Sequence, residues 1–159
     1  MIAAVTKSAD DTRELGAALA TVARPGDLIL LSGDLGAGKT TLAQGFGRGL
    51  GVGEPIVSPT FVLARLYKGR LPLVHADAYR MESLQEVSDL DLAEFLDEGS
   101  VALVEWGDVI APALPADFLE LRLEFGDGDD ERQVRLRAVG PAWSIRMGPV
   151  GAALGRWQA

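Results

Sequence analysis

The stretch Asp27-Leu28-Ile29-Leu30-Leu31-Ser32-Gly33-Asp34-Leu35-Gly36-Ala37-Gly38-Lys39-Thr40 decides how this chain folds. Asp27–Leu31 is a short apolar run between turn signals, the pattern of a strand buried on both faces. Gly33 to Thr40 matches G-x-x-x-x-G-K-[ST] without departure. The glycines let the backbone curl so that successive N–H groups point inward at phosphate oxygens. A helix starting near Thr40 adds its positive N-terminal end. Lys39 is suited to neutralise β- and γ-phosphates, and the Thr40 hydroxyl to ligate Mg2+. Gly-rich turns before helices are common in themselves. Here a strand precedes and a helix follows, which is the context the motif requires. The sequence therefore specifies a nucleotide site.

Outward from this loop the chain alternates short strands and helices. Ile2–Val5 reads as an edge strand. Ser8-Ala9-Asp10-Asp11 fits the start of a helix, and Leu15, Ala18, Leu19 and Val22 recur at helical spacing until Arg24-Pro25-Gly26. Thr40–Leu50 reads as a helix despite Gly45, Gly47 and Gly49, each costing roughly 1 kcal/mol against Ala. Close packing against a neighbour would account for them. Gly51–Pro59 is loop. Phe61–Tyr67 and Leu71–Ala76 flank Lys68-Gly69-Arg70 as a hairpin. Ser83–Asp97 reads as one broken helix or two short ones. Val101–Val104 is a second buried strand, and Phe118–Phe125 with Arg132–Val139 forms a second hairpin around Gly126–Asp130. The tail from Gly140 carries Trp143 and Trp157, read as packing residues, without a clear period. The expected division is residues 1–140 as one nucleotide-binding domain and 141–159 as a tail of uncertain structure.

Composition narrows the chemistry. The 159 residues suffice for one core, with an ordinary 48% hydrophobic and 24% charged fraction. The net charge of −8 argues against a protein that coats nucleic acid by itself. The absence of Cys excludes disulfides, Cys-ligated zinc, iron–sulfur clusters and thiol catalysis, and a single His (His75) excludes a multi-His metal site. No apolar run of about 18 residues is present to span a bilayer, and the early acids Asp10, Asp11 and Glu14 do not suit a signal peptide. A soluble, cytoplasmic single domain with no membrane partner is expected. Charge divides unevenly: residues 132–159 hold five Arg (132, 135, 137, 146, 156) and no acid, against ten basic and 23 acidic residues before them. A solvated strand face with a frayed tail is the favoured reading. An RNA or acidic-partner contact is the sharper one.

A metal-assisting acid is expected at the end of an apolar strand beside the loop. Glu105, closing Val101-Ala-Leu-Val-Glu105, and Asp77, closing Leu71-Pro-Leu-Val-His-Ala-Asp77, both qualify, and spacing does not rank them. Without Asn, the Asn-Lys-x-Asp guanine box cannot exist, which favours ATP over GTP.

The phosphate loop, Ser58-Pro59-Thr60-Phe61, His75-Ala76-Asp77-Ala78-Tyr79-Arg80 and Glu105-Trp106, in this order and in so short a chain, resemble the bacterial TsaE (YjeE) family of small P-loop ATPases. The resemblance spans roughly Asp10 to Phe125, and the last three blocks make it specific. It implies an α/β, P-loop NTPase-like single domain with a mixed β-sheet flanked by helices. It also implies that Gly33 to Thr41 (Asp34, Leu35, Gly36, Ala37, Gly38, Lys39, Thr40 and Thr41 among them) bind ATP phosphates, Lys39 on the β/γ oxygens. Thr40 and Glu105 would hold Mg2+, Asp77 would orient or deprotonate the attacking water, and Thr60 would sense the γ-phosphate. Trp106 would lie near the nucleotide or a partner surface. Family members serve threonylcarbamoyladenosine formation in tRNA, associating with the TsaB–TsaD pair. Their ATP hydrolysis, sluggish alone, is thought to reset that machine, and tRNA is met through the complex. Gly107 stands where many relatives have Pro, and the tail after Gly140 matches nothing in the family pattern. Arg80 reads equally as a surface ion-pair partner or a phosphate contact, and His75 as a residue that positions its strand.

Two other readings use the same loop. A small-molecule kinase would employ Asp77 as base on a substrate hydroxyl, but Arg48, Arg65, Arg70 and Arg80 are scattered and form no compact lid. A binding module without turnover would let ATP order the surface around Thr60 and the acidic stretch Glu82–Glu98 for a partner to read.

Overall fold

In the computed structural model of the protein, the run before the phosphate loop forms strand β2 (Leu28–Gly33), with its first five residues buried. The structure describes residues 1–34, 36–57, 64–77, 91–105, 115 and 117–158. The remaining strands are β1 (Ile2–Thr6), β3 (Ala64–Tyr67), β4 (Leu73–Asp77), β5 (Val101–Glu105), β6 (Phe118–Phe125) and β7 (Arg132–Val139). They join one sheet in the order β1-β7-β6-β2-β5-β4-β3. The four central strands run parallel, β6 beside β2, β2 beside β5 and β5 beside β4. Antiparallel pairs complete each side. β2, β4 and β5 are near-continuous apolar runs because helices cover both faces of the sheet there.

Alternation along β2 shows the two layers. Ile29 and Leu31 enter a core with Leu15 and Leu19 of helix α1 (Ala9–Ala20) and Leu42 and Phe46 of helix α2 (Lys39–Gly49). Leu28 and Leu30 face the other way, onto Val74, Ala102, Val104 and Leu92 at the start of helix α3 (Leu92–Asp97). Ser8 caps α1, accepting a hydrogen bond from the Asp11 amide. No helix among the described residues is long and apolar enough to cross a membrane.

The glycines of α2 now have a reason. A Cβ on Gly45 would lie 1.8 Å from the Arg13 carbonyl oxygen, and one on Gly49 2.6 Å from that of Ala17. Reciprocally, a Cβ on Gly16 of α1 would lie 2.4 Å from the Leu42 carbonyl. The two helices meet backbone to backbone, so the propensity cost is offset by a close packing that no larger residue allows.

The expected elements recur with small shifts. The edge strand extends to Thr6, α2 begins one residue earlier at Lys39, and both strands of the second hairpin have the expected bounds. In the first hairpin residues 61–63 of the expected first strand lie outside the described residues, the second strand runs Leu73–Asp77 instead of Leu71–Ala76, and residues 68–72 connect the two. Phe61, and Ser83 to Leu90 of the acidic stretch, lie outside the described residues.

The frayed tail is corrected. Residues after Gly140 form α4 (Pro141–Ser144), α5 (Met147–Ala153) and a 3-10 turn at Gly155–Trp157, and Trp143, Val150, Leu154 and Trp157 are buried in the main core. Of the five arginines, Arg135 and Arg137 lie on a solvated strand face as expected, and the other three have specific partners across the fold. Arg146 forms a bidentate pair with Asp27 (2.6 and 2.9 Å), donates to the Val22 carbonyl (2.8 Å) and stacks on Trp143. Arg137 pairs with Glu120 (3.2 Å) and Arg135 approaches Glu124 (3.9 Å). Arg156 pairs with Asp11 and Glu14, and Arg132 reaches the phosphate loop. The charge asymmetry along the sequence is largely absorbed by contacts across the fold.

Two predictions follow from this packing. Gly45→Ala is expected to cost about 2–3 kcal/mol in urea denaturation, whereas Gly53→Ala, with open space around its Cβ, stays within about 0.5 kcal/mol of wild type. The second concerns Asp11. Burial pushes its carboxyl up, but hydrogen bonds from the Trp157 indole, the Lys7 amide and Arg156, with the Arg156 charge, outweigh this and hold it below its ordinary value. A depressed folded-state value gives stability that is present above the unfolded-state value and lost as pH falls through the folded one. The stability gap between wild type and Asp11→Asn, measured by urea midpoints, should therefore be wide at pH 6 and close as pH drops below about 4. A constant gap would refute it.

Candidate nucleotide site

The phosphate loop leaves the carboxyl end of β2, where ligands of parallel sheets gather. Gly36 and Gly38 take φ of +83° and +105°, backbone conformations that side-chain-bearing residues rarely adopt. Gly33 takes a positive φ of +146° as well, and a Cβ there would also lie 2.5 Å from the Leu123 carbonyl oxygen of β6. The Ala37 amide closes a turn onto the Asp34 carbonyl (3.0 Å). Gly38 then caps α2, whose first turn carries Lys39, Thr40 and Thr41. Lys39 is buried, and its ammonium donates to the carbonyls of Gly33 (2.7 Å) and Asp34 (3.0 Å). That cation is held in the loop where phosphates would be received.

Parallel register brings the two candidate acids together. Asp77 at the end of β4 and Glu105 at the end of β5 are direct cross-strand partners, and Glu105 is in turn the partner of Leu31 in β2. In parallel strands such partners share a face, so both carboxyl groups lie on the α2 side at the level where β2 enters the loop. Both are buried, at 6% and 4% exposure. Spacing could not rank them; register makes them neighbours.

His75 lies two residues before Asp77 on the same face and is fully buried. Its Nε2 is 2.8 Å from Glu105 Oε2. With a carboxyl oxygen as partner, Nε2 is the nitrogen that donates. Nδ1 has no hydrogen-bond partner among the described residues. His75 makes a local hydrogen bond, in keeping with a residue that positions its strand, and its partner is the carboxyl group that the family resemblance implied for Mg2+.

These residues fit a nucleotide with Mg2+. No group of three or more His, Asp or Glu among the described residues forms a metal cage. Mg2+ suits such a site, because it keeps several waters and binds through one or two protein oxygens plus substrate phosphates. Thr40 in the first turn of α2 and Glu105 at the strand end are the residues that would supply such oxygens. Leu35, Thr60, Arg80 and Trp106 lie outside the described residues. Arg132, which sequence reading assigned only to a charged stripe, donates to the loop carbonyls of Ala37 (3.1 Å) and Gly36 (3.4 Å). No local motif announces that contact, since hydrogen-bonded atoms 95 positions apart are joined only by the sheet.

Comparison with known proteins decides the family. A family model described as threonylcarbamoyl adenosine biosynthesis protein TsaE matches residues 6–134. The chain belongs to the TsaE family. It is similar to the tRNA threonylcarbamoyladenosine biosynthesis protein TsaE of Streptomyces coelicolor, with 49% identity over 139 residues covering 83% of this chain and 93% of that one. With its Bacillus subtilis counterpart the identity is 43% over 141 residues, covering 88% and 87%. The crystal structure of Bacillus subtilis YdiB superposes with a TM-score of 0.78 at 35% identity, covering 96% of this chain and 97% of that one. The TsaE match thus reaches beyond the span that the sequence motifs suggested, and the P-loop NTPase fold with its mixed sheet is as expected. Within this TsaE chain, the match to YdiB also takes in most of the segment after Gly140.

The His75–Glu105 pair generates a stability prediction. His75→Leu strands a buried carboxyl group and is expected to cost about 1–3 kcal/mol in nucleotide-free urea denaturation. The double replacement His75→Leu with Glu105→Leu should cost less than the sum of the singles, because it removes both partners. Additive costs would show that the pair is not coupled.

Proposed function

We propose that this chain is the Mg2+-dependent ATPase subunit of the machinery that forms threonylcarbamoyladenosine in tRNA, its hydrolysis of ATP resetting a TsaB–TsaD transferase complex. Family membership supports the pathway. The observation that carries the chemistry is the in-register pairing of Asp77 with Glu105 beside the phosphate loop.

Lys39 and the loop amides bind the β- and γ-phosphates, with the N-terminal end of α2 adding positive potential. Mg2+, when bound, supplies charge neutralisation at the phosphate oxygens, and Thr40 and Glu105 are the residues that would hold it. His75 keeps the Glu105 carboxyl oriented. Asp77 accepts a hydrogen bond from the attacking water and takes its proton as the oxygen bonds to the γ-phosphorus and ADP departs. Asp34, Leu35, Gly36, Ala37, Gly38 and Thr41 complete the nucleotide contacts. Thr60 senses the γ-phosphate and Trp106 borders the nucleotide or the partner surface. The sequence places no obvious arginine finger, so a partner subunit completes the catalytic electrostatics, and turnover by the isolated chain is slow. tRNA is reached through the complex, in the cytoplasm.

The test is phosphate release from ATP by the purified chain, alone and with TsaB, TsaD and tRNA. Stimulation by the complex is expected; equal rates would overturn the resetting role, and a phosphorylated metabolite in place of free phosphate would make the chain a kinase. Lys39→Ala should abolish nucleotide binding. Asp77→Asn should retain binding while hydrolysis falls about 10²–10⁴-fold. Glu105→Gln should move the Mg2+ dependence of nucleotide binding to higher concentration, and an unchanged Mg2+ titration would remove Glu105 from the metal.

A further inference from the structure

The outer wall of the phosphate loop is built by the β6–β7 hairpin. Gly33 and Leu123 are cross-strand partners, and the Leu123 side chain approaches within 3.6 Å of where a Gly38 Cβ would stand. At the tip of that hairpin the chain turns through Gly126–Glu131, and Arg132, the first residue of β7, points back across the wall. Each guanidinium nitrogen has a partner. Nε donates to Ala37 O (3.1 Å), Nη2 to Gly36 O (3.4 Å), and Nη1 to Asp129 O (2.8 Å) and Glu131 O (2.9 Å). The cation also lies 4.8 Å from the Phe125 ring centre. One planar group thus ties the hairpin tip to two consecutive peptides of the phosphate loop.

We propose that Arg132 is a positioning residue of the nucleotide site, holding the outward carbonyls of Gly36 and Ala37 so that the loop is fixed in its phosphate-receiving shape before nucleotide arrives. This rests on the nucleotide-site reading above and goes beyond it.

The physical link is the planar trans peptide, in which C=O and N–H point in opposite directions. Ala37 O shares its peptide with the Gly38 amide. A donor that fixes this carbonyl on the outside fixes the Gly38 N–H toward the inside. The neighbouring peptide, Gly36 O with the Ala37 amide, is pinned twice, by Arg132 outside and by the Asp34 carbonyl inside. A charged donor on a carbonyl also polarises the amide and strengthens its N–H as a donor. The device is needed because Gly36 and Gly38 otherwise bring large backbone freedom, and ordering them on binding subtracts from affinity. Lysine could not substitute. Its ammonium is a point charge without the planar fork that serves loop and hairpin together.

The experiment measures Mg2+–ADP affinity by calorimetry and nucleotide-free amide exchange of residues 33–41 by NMR, on the full chain. Variants are Arg132→Ala, Arg132→Lys, and Arg135→Ala as a control that removes the same charge further along β7. Arg132→Ala is expected to weaken ADP binding about tenfold and to accelerate Gly38 amide exchange, with Arg132→Lys close to the Ala variant and Arg135→Ala within twofold of wild type. Unchanged affinity or unchanged Gly38 exchange in Arg132→Ala overturns the proposal. Recovery of wild-type affinity in Arg132→Lys also overturns it, because charge alone would then suffice. Should Arg132→Ala not fold, Arg132→Lys carries the same two readouts. Wild type and Lys39→Ala run alongside. Absence of ADP binding by wild type removes the nucleotide site itself, whereas binding by wild type, loss in Lys39→Ala and no change in Arg132→Ala removes only the role of Arg132.

Discussion

The parallel pairing of β2 with β5, and of β5 with β4, sets everything at the functional end of this molecule. Parallel strands in register finish at one level, so the phosphate loop, Glu105 and Asp77 emerge side by side although the sequence separates them widely. Their burial follows from the same pairing, since strands sandwiched between helical layers leave little room for water at their ends. A carboxyl group in that setting needs a partner, and His75 from the adjacent strand supplies one to Glu105. The site is thus an outcome of sheet geometry first and of side-chain chemistry second.

The backbone contact between α1 and α2 serves the same end. α2 carries Lys39 and Thr40 at its start, so its seat on the sheet aims the loop. Gly16, Gly45 and Gly49 let α1 press against it at a distance that larger residues would forbid. Rigid placement of the helix matters because catalytic groups displaced by an ångström lose much of their effect. Helix propensity is given up here in return for a precise seat.

Local pattern made much of this legible. Asp27–Leu31 and Val101–Val104 announced buried strands, Gly33–Thr40 announced the loop, and the alternation at Phe118–Phe125 and Arg132–Val139 gave the second hairpin at its observed bounds. What pattern could not supply was partnership across the sheet. By spacing alone Asp77 and Glu105 were rivals for one role; the family resemblance implied separate roles, and only register shows them as neighbours. The tail lacked a period because α4 and α5 are short and anchor through single side chains, Trp143, Val150 and Trp157, and such anchors leave no repeating signal. The five C-terminal arginines read as a solvated strand face with a frayed tail, whereas Arg146 and Arg132 have specific partners within the fold. Their acids and carbonyls sit far back in the sequence, Asp27 for Arg146 and Ala37 for Arg132.

The pairing of β1 with β7 has a kinetic consequence. Ile2 faces Leu136 and Thr6 faces Arg132, so this strand pair closes a loop of nearly the whole chain. β2 likewise gains its neighbours only from Val101–Glu105 and Phe118–Phe125. Such distant contacts incur their loop-closure entropy before they yield stability, which slows folding. On a ribosome the apolar centre of the sheet would emerge early and wait for β6 and β7, with its edges unpaired meanwhile. The phosphate loop, walled by that late hairpin, would reach its nucleotide-ready shape among the last events of folding.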